Sequence, residues 1–175
     1  MEERLEDGRL IGTARTIFRP ITLADAETVF RWRGDPEVMH FSAHGPDASL
    51  EDTRRVSRES SLSKATLGFG RRLVLDRESG EPIGDAGVLP MPEGDEFELG
   101  YRLERSCWGR GLATEIARAW ISQVRETTSL PRLLAFTHID HATSQRVLLE
   151  VGFQRVSEAL VYQMPSIIYR IDFPR

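Results

Sequence analysis

FELGYRLERSCWGRGLATEIARAWISQVRE, residues 97–126, contains the two patterns that decide the fold. Apolar and polar residues alternate along Phe97–Leu103, which is typical of a half-buried β-strand. From Ala113 to about Glu126 the apolar residues return at helical spacing. Gly109 and Gly111 lie between the two patterns. The stretch therefore predicts a strand, a glycine-containing loop and a helix, in that order.

The loop between this strand and helix has the composition of a phosphate-binding turn. Gly109 and Gly111 let a ligand approach the backbone closely, and the following helix offers free N–H groups and the positive end of its dipole to an anion. The alternative is a tight turn that binds nothing. A dinucleotide-binding G-x-G-x-x-G loop is not favoured, because Thr114 occupies the position of the third glycine. The Gly-Lys-Ser/Thr of a Walker A loop is also missing.

Outward from this stretch, strand and helix patterns fill the chain. Capping-box sequences predict helices that begin after Thr22 and Ser49, and Gly152 predicts the end of a helix over His141–Val151. Short turns between consecutive strands predict an antiparallel meander, with Pro165 as the break between the last two strands. The predicted strands are Thr16–Ile21, Phe69–Asp76, Ile83–Leu89, Phe97–Leu103, Leu133–Thr137, Phe153–Gln163 and Ile167–Phe173.

Composition excludes several classes of protein. The 175 residues carry 23 basic and 27 acidic side chains, a formal net charge of −4, which argues against a nucleic-acid-binding protein that works through positive charge. The length fits one domain. The single cysteine, Cys107, excludes an internal disulfide and a cysteine-rich zinc site, and it fits a reducing cytoplasm.

The amino-terminal residues carry no structural pattern of their own. They lack the apolar core of a secretory signal, and no apolar run in the chain is long enough to predict a membrane span. Residues 1–14 are therefore predicted to form a flexible tail. The alternative is a short arm that docks on a partner subunit.

Four segments, in this order along the chain, carry a family resemblance: WRGDPEVMHF (Trp32–Phe41), ELGYRL (Glu98–Leu103), WGRGLATE (Trp108–Glu115) and SQRVLLEVGF (Ser144–Phe153). Together they resemble the GNAT acyltransferases, and within them the RimJ/RimL-like branch. Gly111 and Ala113 occupy the small-residue positions of motif A of that family, commonly written Q/R-x-x-G-x-G/A. Trp108 stands in place of the Gln or Arg, a departure typical of this branch.

The resemblance covers about residues 16–173 and implies a fold and a reaction. The fold is α/β (α+β), with a mixed and mostly antiparallel sheet of six to seven strands and helices on both faces, in a single domain over residues 15–175. The implied reaction is transfer of acetyl from acetyl-CoA to an amine by direct attack, without a metal. The expected acceptor is a protein amino terminus or a small amine, and the protein is expected to be a monomer or homodimer without nucleic-acid or membrane partners.

The resemblance also implies which residues bind the cosubstrate. The loop backbone would hold the pyrophosphate of coenzyme A, and the pantetheine would follow the strand that ends at Leu103, beside a partner strand that splays away. His141 stands where the family often has Asn; the alternative is an ordinary polar residue at a helix start. The expected cosubstrate-binding residues are Leu103, Trp108, Gly109, Arg110, Gly111, Leu112, Ala113, Thr114, His141 and Ser144.

Glu98 is the expected general base. An alkyl amine is protonated near pH 7 and must lose a proton before it attacks a thioester. Glu98 lies on the polar face of the alternating strand, one strand length from the loop, and the family often has a Glu there. The alternative is a surface or salt-bridged Glu. Many GNAT enzymes protonate the leaving thiolate with a Tyr of the last helix, but Leu148 occupies that position, so Ser144, a water molecule or Tyr162 would have to replace it.

The remaining polar residues do not favour a metal site. The four histidines, His40, His44, His138 and His141, lack matching cysteines and carboxylates, so zinc is not favoured. The acidic residues before the alternating strand, Glu93, Asp95 and Glu96, attract a cationic acceptor or are ordinary solvated turn residues. The thin apolar face of the helix Ser49–Leu62 predicts a peripheral helix that lines the acceptor site.

Two other function classes compete with the enzyme. Leu148 and His141 depart from the family pattern, which favours a non-catalytic module that binds or senses acetyl-CoA. A purely structural partner protein is the third class, and the predicted phosphate loop argues against it.

Overall fold

The computed structural model describes residues 3–4, 10–62, 70–91 and 94–174. Within them the chain forms nine strands: β1 Glu3–Arg4, β2 Leu10–Gly12, β3 Thr16–Pro20, β4 Arg71–Asp76, β5 Pro82–Pro90, β6 Phe97–Leu103, β7 Arg132–His138, β8 Gln154–Val161 and β9 Met164–Asp172. It also forms four α-helices: α1 Ala26–Arg33, α2 Leu50–Leu62, α3 Leu112–Thr127 and α4 Ala142–Glu150. Phe69 and Glu93, for which the sequence predicts a strand and an acidic turn, lie outside the described residues. None of the described helices has the length and apolar character that a membrane span requires.

All described strands belong to one sheet, in the order β1-β2-β3-β4-β5-β6-β7-β9-β8. β3 to β6 form consecutive antiparallel pairs, which confirms the predicted meander. The pair β6 and β7 is parallel, and β9 is antiparallel to both β7 and β8. The seven predicted strands correspond to β3–β9, and β1 and β2 extend the sheet at its β3 edge.

Helices cover both faces of the sheet, as expected. On one face α3 packs Trp120 against a large core that includes Leu133 of β7 and Leu148 of α4. On the opposite face α1 packs Trp32 against Leu73 of β4 in a smaller apolar cluster. Burial of these faces is the main stabilising contribution to such a fold.

Both predicted helix starts are confirmed. The backbone N–H of Thr22 donates to the Asp25 carboxylate at 2.8 Å, just before α1. At the start of α2, the backbone N–H of Asp52 donates to Ser49 Oγ at 3.3 Å. In both cases a side-chain oxygen accepts a hydrogen bond from a backbone N–H group near the start of the helix, which is why such sequences precede helices.

The described part of the amino terminus is built into the sheet edge. β2 pairs with both β1 and β3, and Thr13 is only 3% exposed, with its Oγ1 2.8 Å from Thr16 Oγ1. Residues 10–14 therefore differ from the flexible tail expected over residues 1–14. The pairing was not visible in the sequence because three-residue strands are too short to show periodicity. The domain boundary at residue 15 stays a prediction.

The last hairpin turns at Tyr162 and Gln163, rather than at Pro165 as the sequence predicts. Both turn residues have positive φ, 49° and 65°, which is the backbone of a two-residue hairpin turn. Asn-Gly is the usual signal for that turn, and Tyr-Gln does not give it. Pro165 instead lies near the start of β9 and pairs with Leu160 of the edge strand β8.

Candidate active site

An opening lies between β6 and β7. These two strands pair only between Glu98 and Leu134, whereas β5 and β6 pair along the full length of β6, from Phe97 to Leu103. Beyond Glu98, toward the glycine loop, β6 and β7 therefore diverge, which confirms the predicted splay. Diverging strands leave main-chain groups available to an extended ligand.

The glycine loop is open and leads directly into α3. Gly109 and Gly111 both have φ of 72°, a left-handed conformation that favours glycine. A Cβ at Gly109 would meet nothing within 4 Å. The first hydrogen bond of α3 runs from the Glu115 N–H to the Gly111 carbonyl at 3.2 Å. The N–H groups of residues 112–114 consequently have no acceptor within the helix, which suits an anion.

Arg15 ties the amino-terminal segment to this loop. Its Nη1 donates to the Arg110 carbonyl at 2.8 Å, and its Nε donates to Glu115 Oε2 at 2.6 Å. The Arg15 charge offsets that of Glu115, which would otherwise repel an anion at the start of α3. Sequence patterns did not reveal Arg15 because 95 residues separate it from Arg110.

A cavity of about 470 Å³ adjoins the loop. It contains two guanidinium groups, from Arg15 and Arg118, and two carboxylates, from Glu115 and Glu150. Arg118 pairs with Glu150 at 3.2 Å on the exposed side. These charges balance, so the cavity can accept a polar part of a ligand whose phosphate lies on the loop.

Trp108 fixes the passage from β6 into the loop. Its indole Nε1 donates to the Leu103 carbonyl at 2.9 Å, while half of the residue remains exposed. Arg110 is exposed, with its guanidinium 3.8 Å from the Asp76 carboxylate. The structure thus places Leu103, Trp108 and Arg110 beside the glycines, as the sequence predicts.

Glu98 is buried at the point where β6 and β7 meet. It is 7% exposed, and burial raises the pKa of its carboxyl to about 7, although Arg71 and Arg102 nearby favour the charged form. A carboxyl whose pKa lies near the working pH is suited to accept a proton from an amine. Burial excludes the surface Glu of the alternative, but not a Glu that is paired with these arginines.

A buried ionic cluster surrounds the Glu98 side of β6. The Asp85 carboxylate of β5 accepts from Trp32 Nε1 and Arg71 Nη1, both at 2.6 Å, and from Arg102 Nη1 at 3.5 Å. Burial disfavours the charged form of Asp85, but Arg102 and Arg71 outweigh it and hold its pKa below the usual range. The alternating pattern of β6 predicted a polar face; Glu98 on that face is buried, and Arg102 pairs with the buried Asp85 of β5.

The other face of β6 carries a hydroxyl pair. Tyr101 Oη lies 3.2 Å from Oγ of Ser144, in the first turn of α4. Burial raises the pKa of Tyr101 to about 12. Leu148, which occupies the family's Tyr position, is buried in the core and has no proton to give. The structure thus joins Ser144 to Tyr101 of β6, a residue that the sequence patterns did not single out.

His141 is the N-cap residue of α4 and stacks on Phe41, with ring centroids 4.4 Å apart. His138 lies 5.3 Å from the same phenyl ring. Burial lowers the pKa of His141, and the neighbouring His138 and His40 lower it further. In the described residues no group of three or more His, Cys, Asp or Glu side chains is arranged to hold a metal ion.

Tyr162, the other hydroxyl that the sequence suggests, lies at the tip of the last hairpin. Its ring is 6.1 Å from Phe136 and 5.3 Å from His44 by centroids. Burial raises the pKa of its phenol, and the Glu98 carboxylate raises it further. Tyr162 therefore lies on the Glu98 side, away from the Tyr101–Ser144 pair.

The sequence matches a known family over most of its length. The model of the acetyltransferase (GNAT) domain matches residues 15–154. The uncharacterized N-acetyltransferase YoaA of Bacillus subtilis strain 168 is 28% identical over 174 residues, which cover 95% of this chain and 98% of YoaA.

Solved structures share the fold. The acetyltransferase from Agrobacterium tumefaciens strain C58 superposes with a TM-score of 0.80 and 28% identity, over 91% of this chain and 92% of that one. RimL, a ribosomal L7/L12 α-N-protein acetyltransferase in complex with coenzyme A, gives 0.76 and 15%, over 93% and 97%. AAC(6′)-Ib in complex with ribostamycin and coenzyme A gives 0.76 and 16%, over 90% and 93%. With its mixed sheet, glycine loop and matching domain, the chain belongs to the GNAT acetyltransferase family.

Proposed function

We propose that this protein is an N-acetyltransferase that moves an acetyl group from acetyl-CoA to a primary amine by direct attack. One observation supports the proposal: β6 leads at one end into a glycine loop before α3, at Gly109–Thr114, and carries a buried carboxyl group, Glu98, near the other end. The loop suits a coenzyme pyrophosphate, and the base suits an amine.

The residues of the opening fit coenzyme A. The backbone from Trp108 to Thr114 would hold the pyrophosphate, with Arg110 at the rim and Leu103 beside the pantetheine. Ser144 contacts Tyr101 of β6, and His141 is the N-cap residue of the helix that carries Ser144. The coenzyme supplies an activated acetyl thioester, and the chain supplies position and proton transfer.

Glu98 is the base of the proposed reaction. It accepts the amine proton, directly or through water, as the nitrogen attacks. Arg71 and Arg102 stabilise its carboxylate while burial destabilises it, so the group changes its charge near neutral pH. Such a group takes a proton readily and returns it readily.

The acceptor is an amine, either a protein amino terminus or a small molecule. RimL acts on a ribosomal protein and AAC(6′)-Ib is solved with an aminoglycoside, and a shared fold does not choose between them. The motif resemblance favours the RimJ/RimL-like branch. The buried, unpaired Cys107 fits action in the reducing cytoplasm, as a monomer or homodimer.

Incubation with acetyl-CoA and a panel of amines tests the proposal. The panel contains peptides with different first residues, polyamines, amino acids and aminoglycosides, and free thiol is measured alongside a thermal-shift titration with coenzyme A. We expect a coenzyme-dependent rise in Tm and amine-dependent thiol release. A rise in Tm with no amine-dependent release would favour the sensing module, and no rise at all would contradict both.

A further inference from the structure

The proposed reaction leaves a negative charge on sulfur that Leu148 cannot stabilise. When the C–S bond breaks, the electron pair stays on the coenzyme sulfur. Leu148 is 1% exposed and lies within the apolar core. A hydrogen-bond donor for the thiolate must therefore come from another residue or from a water molecule.

Tyr101 points to the opposite side of the sheet from Glu98. Successive side chains of a strand alternate between faces, so Glu98 shares one face with Arg102, and Tyr101 shares the other with Leu99. The environment agrees: Glu98 lies among the charges of the Asp85 cluster, whereas Tyr101 packs on the large apolar core and reaches Ser144. A base on one face and a hydrogen-bond donor on the other can serve the attacking nitrogen and the departing sulfur separately.

Tyr101 also lies at the right level along β6. The proposed pyrophosphate site follows Leu103, and Glu98 lies five residues before Leu103 in the same strand. At ~3.4 Å per residue that separation is about 17 Å, which an extended pantetheine can span. Tyr101 falls between these two points, in the part of β6 that has diverged from β7.

We propose that the Tyr101 hydroxyl, held by Ser144, donates the hydrogen bond that stabilises the departing coenzyme A thiolate. The inference rests on the proposed function. The amine lone pair forms the C–N bond, the C–S pair moves to sulfur, and the amine proton moves to Glu98 and then to solvent. Tyr101 keeps its own proton and shares it with sulfur, while the Ser144 hydroxyl donates to the Tyr101 oxygen.

The environment of Tyr101 supports a donor that does not ionise. Burial raises the pKa of its phenol to about 12, and the hydrogen bond with Ser144 only partly opposes this. The phenol therefore remains protonated across the working pH range. It stabilises the thiolate by hydrogen bonding, rather than by complete proton transfer to a weaker base.

The variant Tyr101→Phe tests the proposal, with Tyr169→Phe as the matched control. Tyr169 is also a buried tyrosine, on the core-facing side of β9, and lies outside the opening. We expect Tyr101→Phe to lower kcat about 10- to 100-fold, because a hydrogen bond to a charged group is lost. KM for acetyl-CoA should hardly change, the rise of rate with pH set by Glu98 should remain, and Tyr169→Phe should keep its full kcat.

A second readout does not depend on turnover. The thiol of bound coenzyme A is titrated by its thiolate absorbance in the wild-type protein and in both variants. We expect the bound thiol to ionise at lower pH in the wild type and in Tyr169→Phe than in Tyr101→Phe. If the wild type turns over and Tyr101→Phe matches it in kcat and in thiol titration, the inference about Tyr101 is overturned and the proposed function is not. A wild type that does not bind coenzyme A would overturn the proposed function and the inference with it.

Discussion

Replacement of Glu98 by Gln removes the base but keeps the size and most hydrogen bonding of the side chain. Glu98 has a pKa of about 7 because the carboxyl is buried. In the wild type, kcat/KM should therefore rise with pH and level off above about 7, where Glu98 is ionised. We expect the variant to lose roughly 10²–10³-fold in kcat, the range for loss of a general base. That loss corresponds to about 3–4 kcal/mol of transition-state stabilisation.

The same change should stabilise the fold at high pH. The folded pKa, about 7, lies above the ordinary value of 4.5, so the unfolded chain releases this proton first. Stability is therefore present at low pH and is lost as the pH rises through about 7. The difference between the two values corresponds to an upper limit of about 3 kcal/mol. Glu98→Gln removes this loss, so its Tm should exceed that of the wild type at pH 8 and match it at pH 4, below the ordinary pKa of the carboxyl.

The assay combines kcat against pH with melting temperatures for Glu98→Gln and a control, Glu126→Gln. Glu126 is exposed near the carboxyl end of α3, at the opposite end of that helix from the loop, and its replacement should leave both profiles unchanged. The acetyl-CoA affinity of Glu98→Gln should also hold, because the loop is a separate site. A Glu98→Gln variant with wild-type kcat and an unchanged pH profile would show that Glu98 is not the base. A lower Tm at pH 8 with normal kcat per folded molecule would show that its role is structural.

Three further predictions concern the loop, the ionic cluster and metals. Gly111→Asp should abolish acetyl-CoA binding by calorimetry, since a carboxylate would enter the anion site. Gly94→Asp is the control: this turn glycine has φ of 79° and lies at the opposite end of β6 from the loop, so the variant reproduces the backbone strain and should bind normally. Asp85→Asn should lower the free energy of unfolding by roughly 3–5 kcal/mol in chemical unfolding. It should also shift the rise of kcat/KM to lower pH, because Arg71 and Arg102 then act on Glu98 without a counter-charge. An unshifted pH profile would show that the Asp85 cluster does not influence the pKa of Glu98. EDTA should leave activity unchanged, and a loss restored by zinc would contradict this prediction.

Local patterns were sufficient for the elements that build the site. β6 and α3 have clear periods, and the glycines between them have a physical reason to be there, the positive φ of the loop. The meander could be predicted from its short turns, and the starts of α1 and α2 could be predicted from the caps at Thr22 and Ser49. Glu98 could be selected as the candidate base because the alternating pattern predicts its strand and the sequence gives its distance from the loop.

Contacts between distant residues could not be predicted. Arg15 reaches the loop across 95 residues, and Tyr101 reaches Ser144 across 43. The polar face of β6 was recognised, but the buried ionic cluster around Asp85 was not, because Trp32, Arg71 and Arg102 come to Asp85 from separate parts of the sequence. The turn at Tyr162 was missed because its backbone conformation is usually encoded by Asn or Gly.

Acetyl transfer to nitrogen can be followed directly with acetyl-CoA labelled with ¹³C at the carbonyl. Carbon NMR distinguishes a thioester, an amide, an ester and free acetate in one spectrum, recorded with the acceptor that gives the fastest thiol release. If the protein is an N-acetyltransferase with Glu98 as its base, the thioester signal decays as an amide signal grows in equal amount, and both changes are slower in Glu98→Gln. Conversion of the label to acetate or to an ester, with no amide, would contradict acetyl transfer to an amine.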